Sequence, residues 1–115
     1  MGTELTTAVM EDGTPVVCAR GELDMLAAPQ LARALSRAKG KRHRSVVLDL
    51  SESTFIDSTI LGVIVGFARR LDNHGCAFVV VTEHPHLRRV LDLTGLVRIF
   101  TVVGDARRGA RRPLI

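Results

Sequence analysis

The stretch S-V-V-L-D-L-S-E-S-T-F-I-D-S-T-I-L-G-V-I-V-G, Ser45 to Gly66, decides how the chain folds. Ser45 to Leu50 is a short apolar run rich in Val and Leu, with Asp49 near its end, and it reads as a central strand covered on both faces. From Ser58 onward, Ile60, Leu61, Val63, Ile64, Val65, Phe67, Ala68 and Leu71 predict an apolar helix over 58–72, ended by Asn73-His74-Gly75. A strand feeding a helix is the start of a βαβ unit. Between the two lie Asp57, Ser58 and Thr59, polar residues placed between segments that both read as buried. Helix capping accounts for them in the simplest way: Asp57 caps, and Ser58 is a first-turn residue.

The alternation extends outward from this stretch. Residues 3–9 and 15–20 read as two strands joined by a turn at Asp12-Gly13, a strong hairpin signal. In G-E-L-D, Gly21 is expected to end the second strand and Asp24 to cap the next element. Leu26, Ala27, Leu31, Ala34, Leu35 and Ala38 recur at helical spacing, Arg33 and Arg37 face outward, and Pro29 fixes the first turn. A basic loop covers 39–44. A buried strand is expected over 76–82, a helix over 84–93 with Pro85 at its start and Thr94-Gly95 as its stop, and a last strand over 97–102. After Gly104 a weak final helix is expected. The order is β-β-α-β-α-β-α-β: an α/β domain over 3–106, with a mixed, mostly parallel sheet and helices packed on it. The hairpin puts an antiparallel strand on one edge.

Composition supports one domain of 115 residues with an aliphatic core, since there is no Trp, no Tyr and only four Phe. Cys18 and Cys76 sit inside strand-like runs and read as buried thiols rather than a disulfide. The N-terminus lacks the basic and apolar regions of a signal peptide, and the longest apolar run, nine residues from Ile60 to Ala68, falls far short of a membrane span; a cytoplasmic protein is expected. The net charge of +4 resides in Arg107, Arg108, Arg111 and Arg112, so residues 1–106 are neutral. The tail, 107–115, reads as a solubilising, disordered end; nucleic-acid binding would call for basic residues spread over a folded face with stacking aromatics.

Catalytic chemistry has little to stand on. Ser58 has no G-x-S-x-G elbow, no phosphate-binding glycine loop is present, and His84-Pro85-His86 lacks a third metal ligand. No enzymatic activity, cofactor or metal is expected. The helix over 58–72 is more informative, because its apolar residues wrap almost all the way round where a surface helix usually carries a stripe. Gly62 and Gly66 share one of its faces, and each costs about 1 kcal/mol relative to Ala. Close backbone approach would offset that cost, either by the domain's own sheet or by a partner protein lying across the helix. A phosphate on Ser58 would meet free backbone N–H groups and the positive end of the helix dipole. Such a phosphate changes surface charge by about −2 while leaving the shape intact.

With G-E-L-D at Gly21 to Asp24, F-I-D-S-T-I-L-G-V at Phe55 to Val63, and T-G-L-V-R-I-F at Thr94 to Phe100, the chain resembles the anti-sigma factor antagonists, small bacterial proteins of the STAS type. The resemblance runs from about residue 3 to 103. It implies a protein that binds an anti-sigma factor and so releases a sigma factor. It implies further that the anti-sigma factor is a serine kinase that phosphorylates Ser58, and that a metal-dependent serine phosphatase reverses the mark. Asp24 and Asp57 match the family's acidic positions, and the expected contact surface comprises Asp24, Asp57, Ser58, Thr59, Ile60, Gly62 and Gly66. The family pattern has Gly where this chain has Ile60, which predicts a reshaped groove or hindered access to Ser58. The alternative suggested by Ile60 is a constitutive STAS adaptor, or a subunit of a signalling assembly, with no phosphorylation switch. Neither direct nucleic-acid binding nor a membrane is expected.

Overall fold

The computed structural model describes residues 3–40, 44–95 and 100–104. Five strands form one sheet in the order β1-β2-β3-β4-β5: β1 Glu4–Val9, β2 Pro15–Leu23, β3 Ser45–Ile56, β4 Ala77–Val81 and β5 Thr101–Val103. Strand β1 is antiparallel to β2, and all later neighbours are parallel. The helices are α1 Ala28–Lys39, α2 Ser58–Asn73 and α3 Pro85–Leu93. The expected element order holds. Of the last strand's expected span, residues 97–99 lie outside the described residues, as does the tail after Gly104.

Strand alternation sorts the core. Val17, Ala19, Val46, Leu48, Leu50, Phe78 and Val80 point to one face, where they pack with Leu31 and Leu35 of α1, Ile60, Ile64 and Leu71 of α2, and Leu87 and Leu91 of α3. Phe78 lies edge-on to Phe67 at 5.1 Å between centroids. The other face carries Val16, Val47, Val79, Val81 and Val103, with Met10 and Cys18 against them. The thiols were expected to be buried; Cys18 and Cys76 are each half-buried, and no disulfide joins them. Burial pushes the Cys18 thiol up, and the Asp49 carboxylate across the strand pair adds to the shift. Ile64 has no exposed surface, so Ile64→Ala leaves a cavity under α2. The expected loss is about 2–5 kcal/mol of unfolding free energy, read by urea denaturation.

Three boundaries differ from the sequence reading. Gly21 does not end β2: it adopts φ +90°, and the strand bulges there yet keeps pairing with β3 as far as Leu23 opposite Ile56. Strand β3 runs past Leu50 through the polar S-E-S-T segment for the same reason. The ladder to β2 holds it, Ser53 Oγ donates to the buried Ala19 carbonyl at 2.8 Å, and Arg20 bridges Glu52 at 2.6 Å and Glu4 at 3.4 Å. The Arg20 guanidinium holds the Glu52 carboxyl below its usual range. Finally, Leu26 is not a core residue of α1. Met25–Ala27 form a separate 3-10 turn, whose tighter winding breaks the 3.6 phase and leaves Leu26 83% exposed.

Candidate functional site

The site is built where β2 and β3 end side by side. Leu23 and Ile56 are partners in the ladder, and the next residue of each strand is an aspartate that caps a helical turn. Asp24 Oδ1 accepts from Leu26 N at 3.0 Å and starts the 3-10 turn; Asp57 Oδ1 accepts from Ile60 N at 2.9 Å and starts α2. Asp57 N donates to the Leu23 carbonyl at 3.2 Å, which ties the two caps together. Two carboxylates therefore sit at one end of the sheet, each held by a backbone N–H.

Ser58 is the first residue of α2 and is exposed, as is Thr59. Asp57 takes the Ile60 N–H, and Leu61 N donates to the Asp57 carbonyl at 3.0 Å. Among the described residues the backbone N–H groups of Ser58 and Thr59 have no hydrogen-bond partner. The start of α2 thus keeps open donors beside a solvent-facing hydroxyl, the environment a phosphate would need.

Ser58, Gly62 and Gly66 follow one another at intervals of four and form one exposed stripe on α2. The glycines border a depression of ≈ 160 Å³ against α1, with Ala32 and Ser36 opposite. Arg70 Nη2 donates to Ser36 Oγ at 2.9 Å, and the Arg70 guanidinium lies 5.4 Å from the centre of the Phe67 ring. A Cβ at either glycine would meet nothing within 4 Å. Tight packing of this face on the chain's own sheet is therefore corrected: the close approach that would justify the glycines does not occur within the domain.

Ile60 is corrected as well. It has no exposed surface and belongs to the core under α2, so it contributes nothing to a contact surface and does not stand over Ser58. Asp24, Asp57, Ser58 and Thr59 come together at one end of the sheet, and Gly62 and Gly66 continue the same surface along the helix. Three further apolar residues are exposed at this end: Met25 at 60%, Phe55 at 38%, and Leu26, expected on the apolar face of the helix, at 83%. Phe55 was legible from alternation, because a buried Ile56 turns its neighbour to the opposite side of the strand. For Leu26 the signal was Pro29, whose preference for the first helical positions starts α1 at Ala28 and leaves Leu26 outside it.

Among the described residues no His/Cys/Asp/Glu group could hold a metal ion, and no helix is long and apolar enough to cross a membrane.

Comparison with known proteins places the chain in a family. A STAS domain family model matches residues 6–107. The chain is 31% identical to the anti-sigma F factor antagonist of Paenibacillus polymyxa, over 78% of each protein. It is 33% identical to the anti-sigma-B factor antagonist of Listeria monocytogenes, over 71% of this chain and 72% of that one. Its structure resembles the crystal structure of an anti-sigma factor antagonist from Mycobacterium paratuberculosis, with a TM-score of 0.78, 30% identity, and coverage of 90% of this chain and 87% of the other.

Proposed function

The chain belongs to the STAS domain family, and we propose that it is an anti-sigma factor antagonist whose docking is switched at Ser58. The observation that carries the reading is the placement of an exposed serine hydroxyl at the open start of α2, beside two capping aspartates and a rim of exposed apolar side chains. Unmodified protein binds an anti-sigma factor through this end of the sheet and through the Ser58–Gly62–Gly66 stripe, and the sigma factor is released. Met25, Leu26 and Phe55 supply the apolar area that Asp24, Asp57 and Ser58 cannot, since exposed polar contacts alone contribute little net affinity.

The anti-sigma factor acts as the serine kinase in this scheme. A phosphate on Ser58 adds about −1.5 to −2 charge next to Asp24 and Asp57. The open N–H groups and the helix dipole keep the fold indifferent to it. A partner seated over the aspartates meets repulsion and the desolvation of a dianion, and it leaves. A serine phosphatase restores the binding form. The adaptor reading without a switch drew on Ile60; with that side chain in the core, nothing attached to Ile60 hinders access to the hydroxyl.

The test is incubation with the cognate anti-sigma factor and ATP, followed by mass mapping. Phosphate on Ser58 is the expected result; phosphate elsewhere, or none, leaves a constitutive adaptor. In the same system Leu26→Asp is expected to weaken anti-sigma factor binding at least ~10-fold, as loss of a central apolar anchor does. Its thermal midpoint should stay close to the parent's, because the side chain is exposed. Unchanged affinity would remove the apolar rim from the interface.

A further inference from the structure

We propose that the trough between the outer edge of β1 and helix α1 binds an extended acidic segment of another protein, added to the sheet as a strand beside β1. The trough has a volume of ≈ 780 Å³. One wall is strand: Leu5 to Val9 line it without a gap, and Pro15 and Val16 of β2 join them at the hairpin end. Strand β1 ends the sheet, and among the described residues only β2 pairs with it, so alternate N–H and C=O groups of β1 point outward along this wall. Val9 is 70% exposed at one end. The other wall is the stripe of α1 formed by Gln30, Arg33, Ala34, Arg37 and Ala38, whose spacing of three and four keeps them on one face.

Charge selects the occupant. Arg33 and Arg37 stand one helical turn apart, and among the described residues neither has an ion-pair partner, whereas Arg20 is held by Glu4 and Glu52. Two like charges at this spacing repel, and a carboxylate between them relieves both. The residues of β1 on the helix side are Leu5, Thr7 and Val9, opposite Ala19, Val17 and Pro15, and none is acidic. A second copy pairing edge to edge through β1 would supply no carboxylate there and would bring its own Arg33 and Arg37 towards these. A hydrocarbon chain would leave the edge amides unpaired along its length. An incoming strand with acidic side chains at alternate positions satisfies the edge and the arginines together, which is recognition by strand addition. None of the trough residues belongs to the Ser58 surface, so this site stands independently of the proposed switch.

The test uses the full ¹⁵N-labelled chain at low ionic strength and a peptide of repeated Glu-Val. Saturable amide shifts confined to β1 and the α1 wall are expected. Arg33→Glu combined with Arg37→Glu should weaken binding about tenfold or more. A Lys-Val peptide should not bind, and N-methylation of alternate peptide amides should abolish strand addition. The proposal is overturned by absence of saturable shifts, by equal binding of the Lys-Val peptide, or by an unchanged affinity after N-methylation. Sedimentation showing a dimer with the same amides protected, or laurate displacing the peptide from them at lower concentration, would assign the trough to those occupants instead.

Discussion

Ser58→Glu is expected to bind the cognate anti-sigma factor about a hundredfold more weakly than the parent, a loss of ~2.8 kcal/mol, while Ser58→Ala is expected to stay within about twofold of it. The contrast arises from where the residue sits. Ser58 makes no hydrogen bond among the described residues through its hydroxyl, so removing the oxygen costs the fold almost nothing. The cap that holds α2 is Asp57, through Ile60 N, and it is untouched by either substitution. A carboxylate at the first helical position interacts favourably with the dipole, by about 0.3–1 kcal/mol, so Ser58→Glu should unfold no earlier than the parent. Loss of affinity without loss of stability is the signature of a switch acting on docking alone. Titration calorimetry gives the affinities and differential scanning calorimetry the midpoints; equal affinities for the two variants would remove the switch and leave the adaptor.

The parts of the fold that could be read in advance are those where a single period persists over a whole element. Ser45 to Leu50 and Ala77 to Val81 are runs of apolar residues bounded by polar ones, and α2 carries its cap, its apolar face and its stop signal in order. What escaped reading lies where tertiary pairing overrides local pattern. Ser51 to Thr54 have no apolar alternation, yet they extend β3 because β2 lies beside them and Ser53 finds the Ala19 carbonyl. Gly21 looked like a terminator, but positive φ serves equally well for a bulge in a strand that goes on.

The site divides in the same way. Asp24 and Asp57 were legible as caps because capping imposes residue type at a fixed place, while their assignment with Ser58 to a contact surface came from the resemblance. Their adjacency was not legible from local pattern, since it depends on Leu23 and Ile56, far apart in the chain, being ladder partners. Leu26 was misread because helical spacing was carried back past the start of α1 that Pro29 marks. Ile60 was placed on the contact surface by the resemblance alone, although its spacing of four from Ile64 and eight from Ala68 puts it on the buried stripe of α2.

The stripe of α2 offers the second large effect, and in two directions at once. Gly62 and Gly66 sit mid-helix with open space where a Cβ would be, so Gly62→Ala and Gly66→Ala should each stabilise the domain by about 0.5–1 kcal/mol. The double variant is expected to unfold several degrees later. The same two methyl groups stand on the surface that continues from Ser58, one and two turns along the helix. A partner that packs its backbone into the depression against α1 cannot keep that distance once they are present, and affinity for the anti-sigma factor should fall by about tenfold or more, an overpacking cost of ~1.4 kcal/mol. Among the described residues nothing within the domain packs against these two glycines, so the fold itself does not require them. Stabilisation with unchanged affinity would confine the interface to the Asp24–Asp57–Ser58 end and its apolar rim. Stabilisation with weakened binding would extend it along α2, so that the phosphate site and the docking groove become two parts of one helix face.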